Sequence, residues 1–291
     1  MTTGDAGRPV KTLYDEIQGT YAPVSREEVM HSMIVVTKFG PHINDKVLVS
    51  NFLLNLLPQV TRPYNVTGMI LTYPKHAVLI LEAPIKSLLS VLRGLNDSEC
   101  LLKKAIKDYY EVSVIPKVDD EETPVEISDE EIIRKMIRNP EAYPIIQSRI
   151  LCILHDCKFR IFKAFELKIF DMEATPLPEL ADPNEDEKKL IELLQQLTRL
   201  SVYLVSSAMK DQEEYVPEIY KMRMTKLLND LREEHPELVP QQTDLSYFAE
   251  VSTLEGLMSV PEYLERFEKP CDGMLVREAT WPIPKNYFMY H

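Results

Sequence analysis

The sequence predicts an α+β fold: a ferredoxin-type sandwich interrupted by an insertion, followed by a mostly helical C-terminal segment. Three observations carry this. Residues 64–84, YNVTGMILTYPKHAVLILEAP, place two apolar runs on either side of a short polar break, the pattern of a β-hairpin. Apolar residues recur at helical spacing on both flanks of that hairpin. Beyond Pro176, Pro178 and Pro183, a stripe of leucines from Leu190 to Leu204 marks a helix with no strand pattern near it. The chain therefore divides into an extended arm (1–30), an α+β domain (31–175, with an insertion at about 96–147) and a helical segment with an aromatic tail (183–291).

Each element follows from its residues. MIVVTKF, Met33 to Phe39, predicts the first strand, and Gly40, Pro41 and Asn44 turn the chain. Val47, Phe52, Leu53, Leu56 and Leu57 predict a helix that Pro58 ends. The hairpin strands run through Val66 to Leu71 and Ala77 to Leu81, with His76 in an exposed turn. Pro84 suits the first turn of a second helix, whose apolar face is Ile85, Leu88, Leu89, Leu92 and Leu95. Inside the insertion, a further helix over Leu101 to Tyr110 precedes the acidic loop VDDEETPVEISDEE. Ser128 and Glu131 form a capping box that opens IIRKMIRNPEAY. Strands return at Arg149 to Asp156 and at Phe159 to Met172. The C-terminal segment predicts helices near 190–204, 216–234, 244–258 and 261–268, then a strand over MLVREATW.

Composition narrows the function. The net charge is −13 over 291 residues, with 45% hydrophobic residues. An acidic surface repels phosphate backbones and anionic lipid, so neither nucleic acid nor membrane is expected as a partner. No apolar run reaches the roughly 20 residues of a membrane span, and MTTGDAGRPVKTLYDE lacks the apolar core of a signal peptide. Four cysteines in a chain of this length predict reduced thiols in the cytoplasm. Eight scattered glycines offer no phosphate-cradling loop.

The hairpin resembles that of the BLUF domain, a flavin-based blue-light sensor. Thr67 and Gly68 match its Thr-Gly pair, Glu82 and Ala83 its strand-end motif, and FRIFKAFELKIF its last strand. That resemblance implies where a flavin would be gripped: a tyrosine in the first strand, a glutamine in the third, and asparagines after the first helix. Here the first strand has no tyrosine, the third-strand position is Leu79, and the asparagine positions fall near Val60 and Thr61, with Asn65 a few residues late. Leucine neither donates nor accepts a hydrogen bond. The flavin positions are thus degenerate, and no cofactor is expected. LTRLSVYLVSSAMK, SVPEYLERFEKP and the closing Trp281 to Pro284 resemble the testis-expressed protein forty-seven family, as a paralogue or distant orthologue that departs in its arm and insertion. Membership implies a non-enzymatic structural or interaction subunit of a ciliary or sperm-flagellar axoneme. Its partners would be other axonemal proteins: radial-spoke, central-apparatus or inter-doublet components. The alternative is a ligand sensor that retains a flavin or nucleotide in a remodelled pocket.

The remaining constellations offer little chemistry. Cys152, His155 and Cys157 are zinc-type ligands, yet strand alternation sets Cys152 on the face opposite the other two, so no metal site is expected. Glu82 ends a strand but has no acid, base or nucleophile beside it in sequence, and the nucleophile-elbow motif is absent, so no catalytic residue is assigned. The partner-binding candidates are the acidic run Asp119, Asp120, Glu121 and Glu122, and the tail residues Trp281, Tyr287, Phe288 and Tyr290.

Overall fold

The computed structural model describes residues 29–57, 66–113, 127–171, 183–210, 215–251, 254 and 256–268. The chain is a mixed α+β structure around an open, six-stranded mixed sheet. The strands are β1 (Met30–Phe39), β2 (Thr67–Thr72), β3 (His76–Pro84), β4 (Ile145–Cys157), β5 (Phe165–Ile169) and β6 (Met258–Ser259), ordered β5-β2-β3-β1-β4-β6. All pairings are antiparallel except β2 with β5.

The sheet is covered on both faces, which explains why its central strands read as unbroken apolar runs. All nine residues of β3 are buried. Ala77, Leu79, Leu81 and Ala83 face one layer, with α1 (Lys46–Leu56) and α2 (Ile85–Ser113). Val78 and Ile80 face the other, formed by α4 (Pro183–Met209), α5 (Pro217–Glu234) and α6 (Gln242–Ser246). The leucine stripe ends here: Leu193, Leu197, Leu200 and Leu204 are buried on the sheet.

The helices begin where their caps dictate. Asp45 accepts from the Val47 amide at 2.8 Å and starts α1. Ser128 caps α3 (Asp129–Met136) by accepting from the Glu131 amide, one half of the expected capping box, while the Glu131 carboxylate pairs with Lys135; the helix stops before Arg138. Ser259 and Glu262 form a reciprocal capping box for α7 (Val260–Phe267). This last helix packs Val260, Tyr263 and Leu264 on the α1–α2 face.

Several expectations are corrected. The second helix does not stop near Leu95. It runs 29 residues without a break to Ser113, so residues 96–113 are its second half. The polar stretch Asn96-Asp97-Ser98-Glu99 disguised this. Ser98 Oγ donates to the Ile145 carbonyl and accepts from the Ile145 amide, both at 2.9 Å. Glu99 accepts from the Ser148 amide and hydroxyl. These side chains are buried because β4 satisfies them. The expected strand over 159–172 forms a ladder only at Phe165–Ile169. The helix expected over 244–258 is α6 followed by a π-helical turn, Tyr247–Val251, and then β6, which adds two residues to the edge of β4. The arm and the strand expected at MLVREATW lie outside the described residues.

Candidate functional site

Leu79, the degenerate flavin position, has no exposed surface and packs in the cluster that includes Leu53, Ile70 and Leu88. Val60 and Thr61 lie outside the described residues. Gly68 serves a backbone purpose: its φ is +140°, and a Cβ there would stand 1.9 Å from the Ile80 carbonyl oxygen. Only glycine fits where β2 crowds β3.

Glu82 is buried at the end of β3 and saturated with donors. Its Oε1 accepts from the Ile161 amide at 2.9 Å, and its Oε2 from the Phe162 amide at 3.0 Å and the Thr67 hydroxyl at 3.3 Å. Arg160 donates to Thr67 Oγ1 at 3.3 Å and to Met30 Sδ at 3.4 Å. The carboxylate thus fastens the β4–β5 connection across the sheet end. Nearby on β5, Glu166 is also buried, and its Oε1 finds no hydrogen-bond partner. Burial pushes its carboxyl up to about 6, against the pull of Lys221. Burial, reinforced by Glu166, also pushes the Tyr220 hydroxyl up to about 12.

His76 is not an exposed turn residue. Only 3% of it is accessible, because the C-terminal segment closes over the hairpin. Its Nε2 lies 2.9 Å from Glu250 Oε1 in the π-turn, and its Nδ1 lies 3.4 Å from Ser246 Oγ on α6. Lys38 of β1 donates to Glu250 Oε2 at 2.5 Å. Burial works against the charge on Glu250, but His76 and Lys38 outweigh it and hold the carboxyl below its ordinary value. A serine, a histidine and a carboxylate thus stand in line, as in acyl-transfer enzymes. The serine, however, is buried and donates to the Gln242 carbonyl at 2.8 Å. The arrangement ties three elements together. Sequence reading missed it because Glu250 and Ser246 follow His76 by 174 and 170 residues.

The CILHDC segment is also corrected. A bulge shifts the β1–β4 register between Met30 and Ser32, so Cys152 opposes Ile34 and Cys157 opposes Met30. The two cysteines therefore share a face that strict alternation would have denied them. His155 turns to His31 instead, with their Nδ1 atoms 2.9 Å apart. Burial and then His155 lower the pKa of His31, while burial raises both thiols. Among the described residues, no group of three or more His, Cys, Asp or Glu side chains is placed to hold a metal ion. A polar groove of about 310 Å³ runs between α4 and the approach to α6, lined in part by Lys189, Glu192, Arg199 and Asp244. The partner-binding candidates Asp119, Asp120, Glu121, Glu122, Trp281, Tyr287, Phe288 and Tyr290 all lie outside the described residues.

Comparison with known families supplies the context for this geometry. A family profile described as testis-expressed protein 47 matches residues 29–112 and 126–269. The chain belongs to the testis-expressed protein 47 family. The profile runs through most of the stretch read as an insertion and leaves out only 113–125 within it, as expected if the long α2 and the α3–β4 unit are part of the family's fold. It stops before Trp281, so the Trp-Pro-x-Pro sequence is no part of the match. Apart from Ser113, the last residue of α2, every described element falls within the matched residues. A search of curated proteins finds no match. Among the described residues, no helix is long and apolar enough to cross a membrane.

Proposed function

We propose that this member of the testis-expressed protein 47 family is a non-enzymatic structural or interaction subunit of a ciliary or sperm-flagellar axonemal complex. Its core would be a BLUF-like, ferredoxin-type sandwich that has lost its chromophore. The strand order β2-β3-β1-β4, with helices linking β1 to β2 and β3 to β4, supports the sandwich reading. The observation that carries the function is the packing at Leu79. Where a photoreceptor needs an amide facing its ring, this sheet buries a leucine among Leu53, Ile70 and Leu88. A flavin inserted there would leave its ring amides unpaired, at about 1–3 kcal/mol each. Both faces of the sheet serve internal packing, which leaves the periphery for partners. The neighbours would be radial-spoke, central-apparatus or inter-doublet proteins.

Two measurements test this. The purified chain is expected to be colourless, and the native protein to stay with the detergent-resistant axonemal fraction. A yellow preparation bleached by light would favour the ligand-sensor alternative, and full release by detergent would remove the axonemal assignment.

A further inference from the structure

The connection from β4 to β5 has to cross the end of the sheet, because β1, β3 and β2 stand between those strands. Four inter-strand steps of about 4.8 Å make about 19 Å. The eight residue steps from Cys157 to Phe165 reach about 26–29 Å when fully extended, so residues 158–164 lie drawn out over the strand ends. Their contacts follow the crossing. Arg160 meets Met30 of β1 and Thr67 of β2, Glu82 of β3 holds the Ile161 and Phe162 amides, and the Ala164 carbonyl accepts from Gly68.

The side chains alternate in burial. Arg160 is half-buried and Phe162 fully buried, whereas Phe159, Ile161 and Lys163 are exposed. Phe159 is 82% exposed, more than any other large apolar residue described. Leu154, also exposed, belongs to the row across the sheet that includes Ser32 and Glu82. Lys158 is exposed at the head of the strap. From Lys158 to Phe165 there are three cations and no carboxylate, in a chain of net charge −13. The exposed anion next along the chain, Asp156, stands on the β4 side.

We infer that the outward stripe of Phe159, Ile161 and Lys163, together with Lys158, is a docking site for an acidic peptide segment that carries an apolar side chain. An aromatic ring presented on a strap already fixed by Glu82 gives up little conformational freedom on binding. Such anchors dominate interface energies. The flanking lysines attract an acidic partner that the remaining surface of this acidic chain repels. The inference deepens the interaction-subunit reading and rests on it. Axonemal co-sedimentation tests that reading and the titration below tests this surface, so each can fail alone.

The probe is a fluorescein-labelled peptide alternating glutamate with valine, titrated with the full chain and followed by anisotropy. It is expected to bind, and to bind more weakly as salt rises. Phe159→Ser and the double change Lys158→Glu with Lys163→Glu are each expected to weaken binding at least tenfold. Both alter exposed side chains, and thermal melts check that the variants stay folded. Val202→Ser, on the outer face of α4, is expected to change nothing. Equal affinity for the lysine–valine counterpart, no binding, or unchanged affinity in both strap variants would overturn the site. Tighter binding of a thymidine oligomer or of phosphatidylserine vesicles would assign the surface to a different class of partner and overturn it as well.

Discussion

Glu82 and Glu166 are buried carboxylates with opposite surroundings. Glu82 gathers two backbone amides and a hydroxyl, while Glu166 leaves one oxygen unpartnered. Only the first could be suspected from sequence, from its place at the end of a predicted strand. Its donors could not, because backbone amides 79 and 80 residues away carry no signature. Glu166 gives the sharper prediction. Its carboxyl sits near 6 when folded, above its ordinary 4.5. A raised acid favours the protonated form, so its contribution to stability falls as pH rises from 4.5 through 6 and stays low above that. Glu166→Gln removes the ionisation. The variant is expected to be more stable than the parent at pH 7 by about 1–2 kcal/mol, a gap that closes at pH 4. Urea unfolding at the two pH values measures it, and a variant equally destabilised at both would show that the carboxyl has an essential partner.

At the scale of elements, the π-turn Tyr247–Val251 brings Glu250 between Lys38 and His76 and so joins the C-terminal segment to β1 and β3. Glu250 is held below its ordinary carboxyl range. The stability it adds is present above the unfolded value and is lost as pH falls through the folded one. Glu250→Gln is expected to cost about 1–3 kcal/mol at pH 7, since it leaves a lysine and a buried histidine without their anion. The loss should shrink as pH falls through the lowered value of the folded carboxyl, where the parent carboxylate is itself protonated. Urea midpoints across that range would read it, and a pH-independent loss would mean that packing is what Glu250 supplies. Elements defined by period or cap were legible in the sequence: β1, the hairpin, α1, the start of α3, and the leucine face of α4. Two kinds were not. α2 carries its polar residues inward to β4 at Ser98 and Glu99, which breaks the stripe that a periodicity reading follows. β6 has two residues, too few for any pattern.

On the scale of the whole molecule, the C-terminal helices are a layer of the structure. The cluster that holds Met69, Leu71, Val78 and Ile80 is completed by Leu197, Leu200, Tyr220 and Met224. The sequence predicts these helices without saying where they pack, because the apolar runs of β2 and β3 do not name what covers the sheet. If the sheet and helices share this core, the full chain unfolds in one transition. A chain cut after Asp171 is expected to bind a hydrophobic dye and aggregate, and a soluble, cooperative 1–171 fragment would show the sheet to be self-sufficient.

The order of strands also bears on how the chain is made. Among the described strands β1 is made first, and it ends up between β3 and β4, its neighbours in the finished sheet. From the ribosome, one of its edges must wait for His76–Pro84 and the other for Ile145–Cys157. For that interval the nascent polypeptide carries MHSMIVVTKF half-paired, an aggregation-prone intermediate. Pulse-chase in a translating lysate would then find holdase chaperones on chains halted before Ile145 and absent from the released full-length chain.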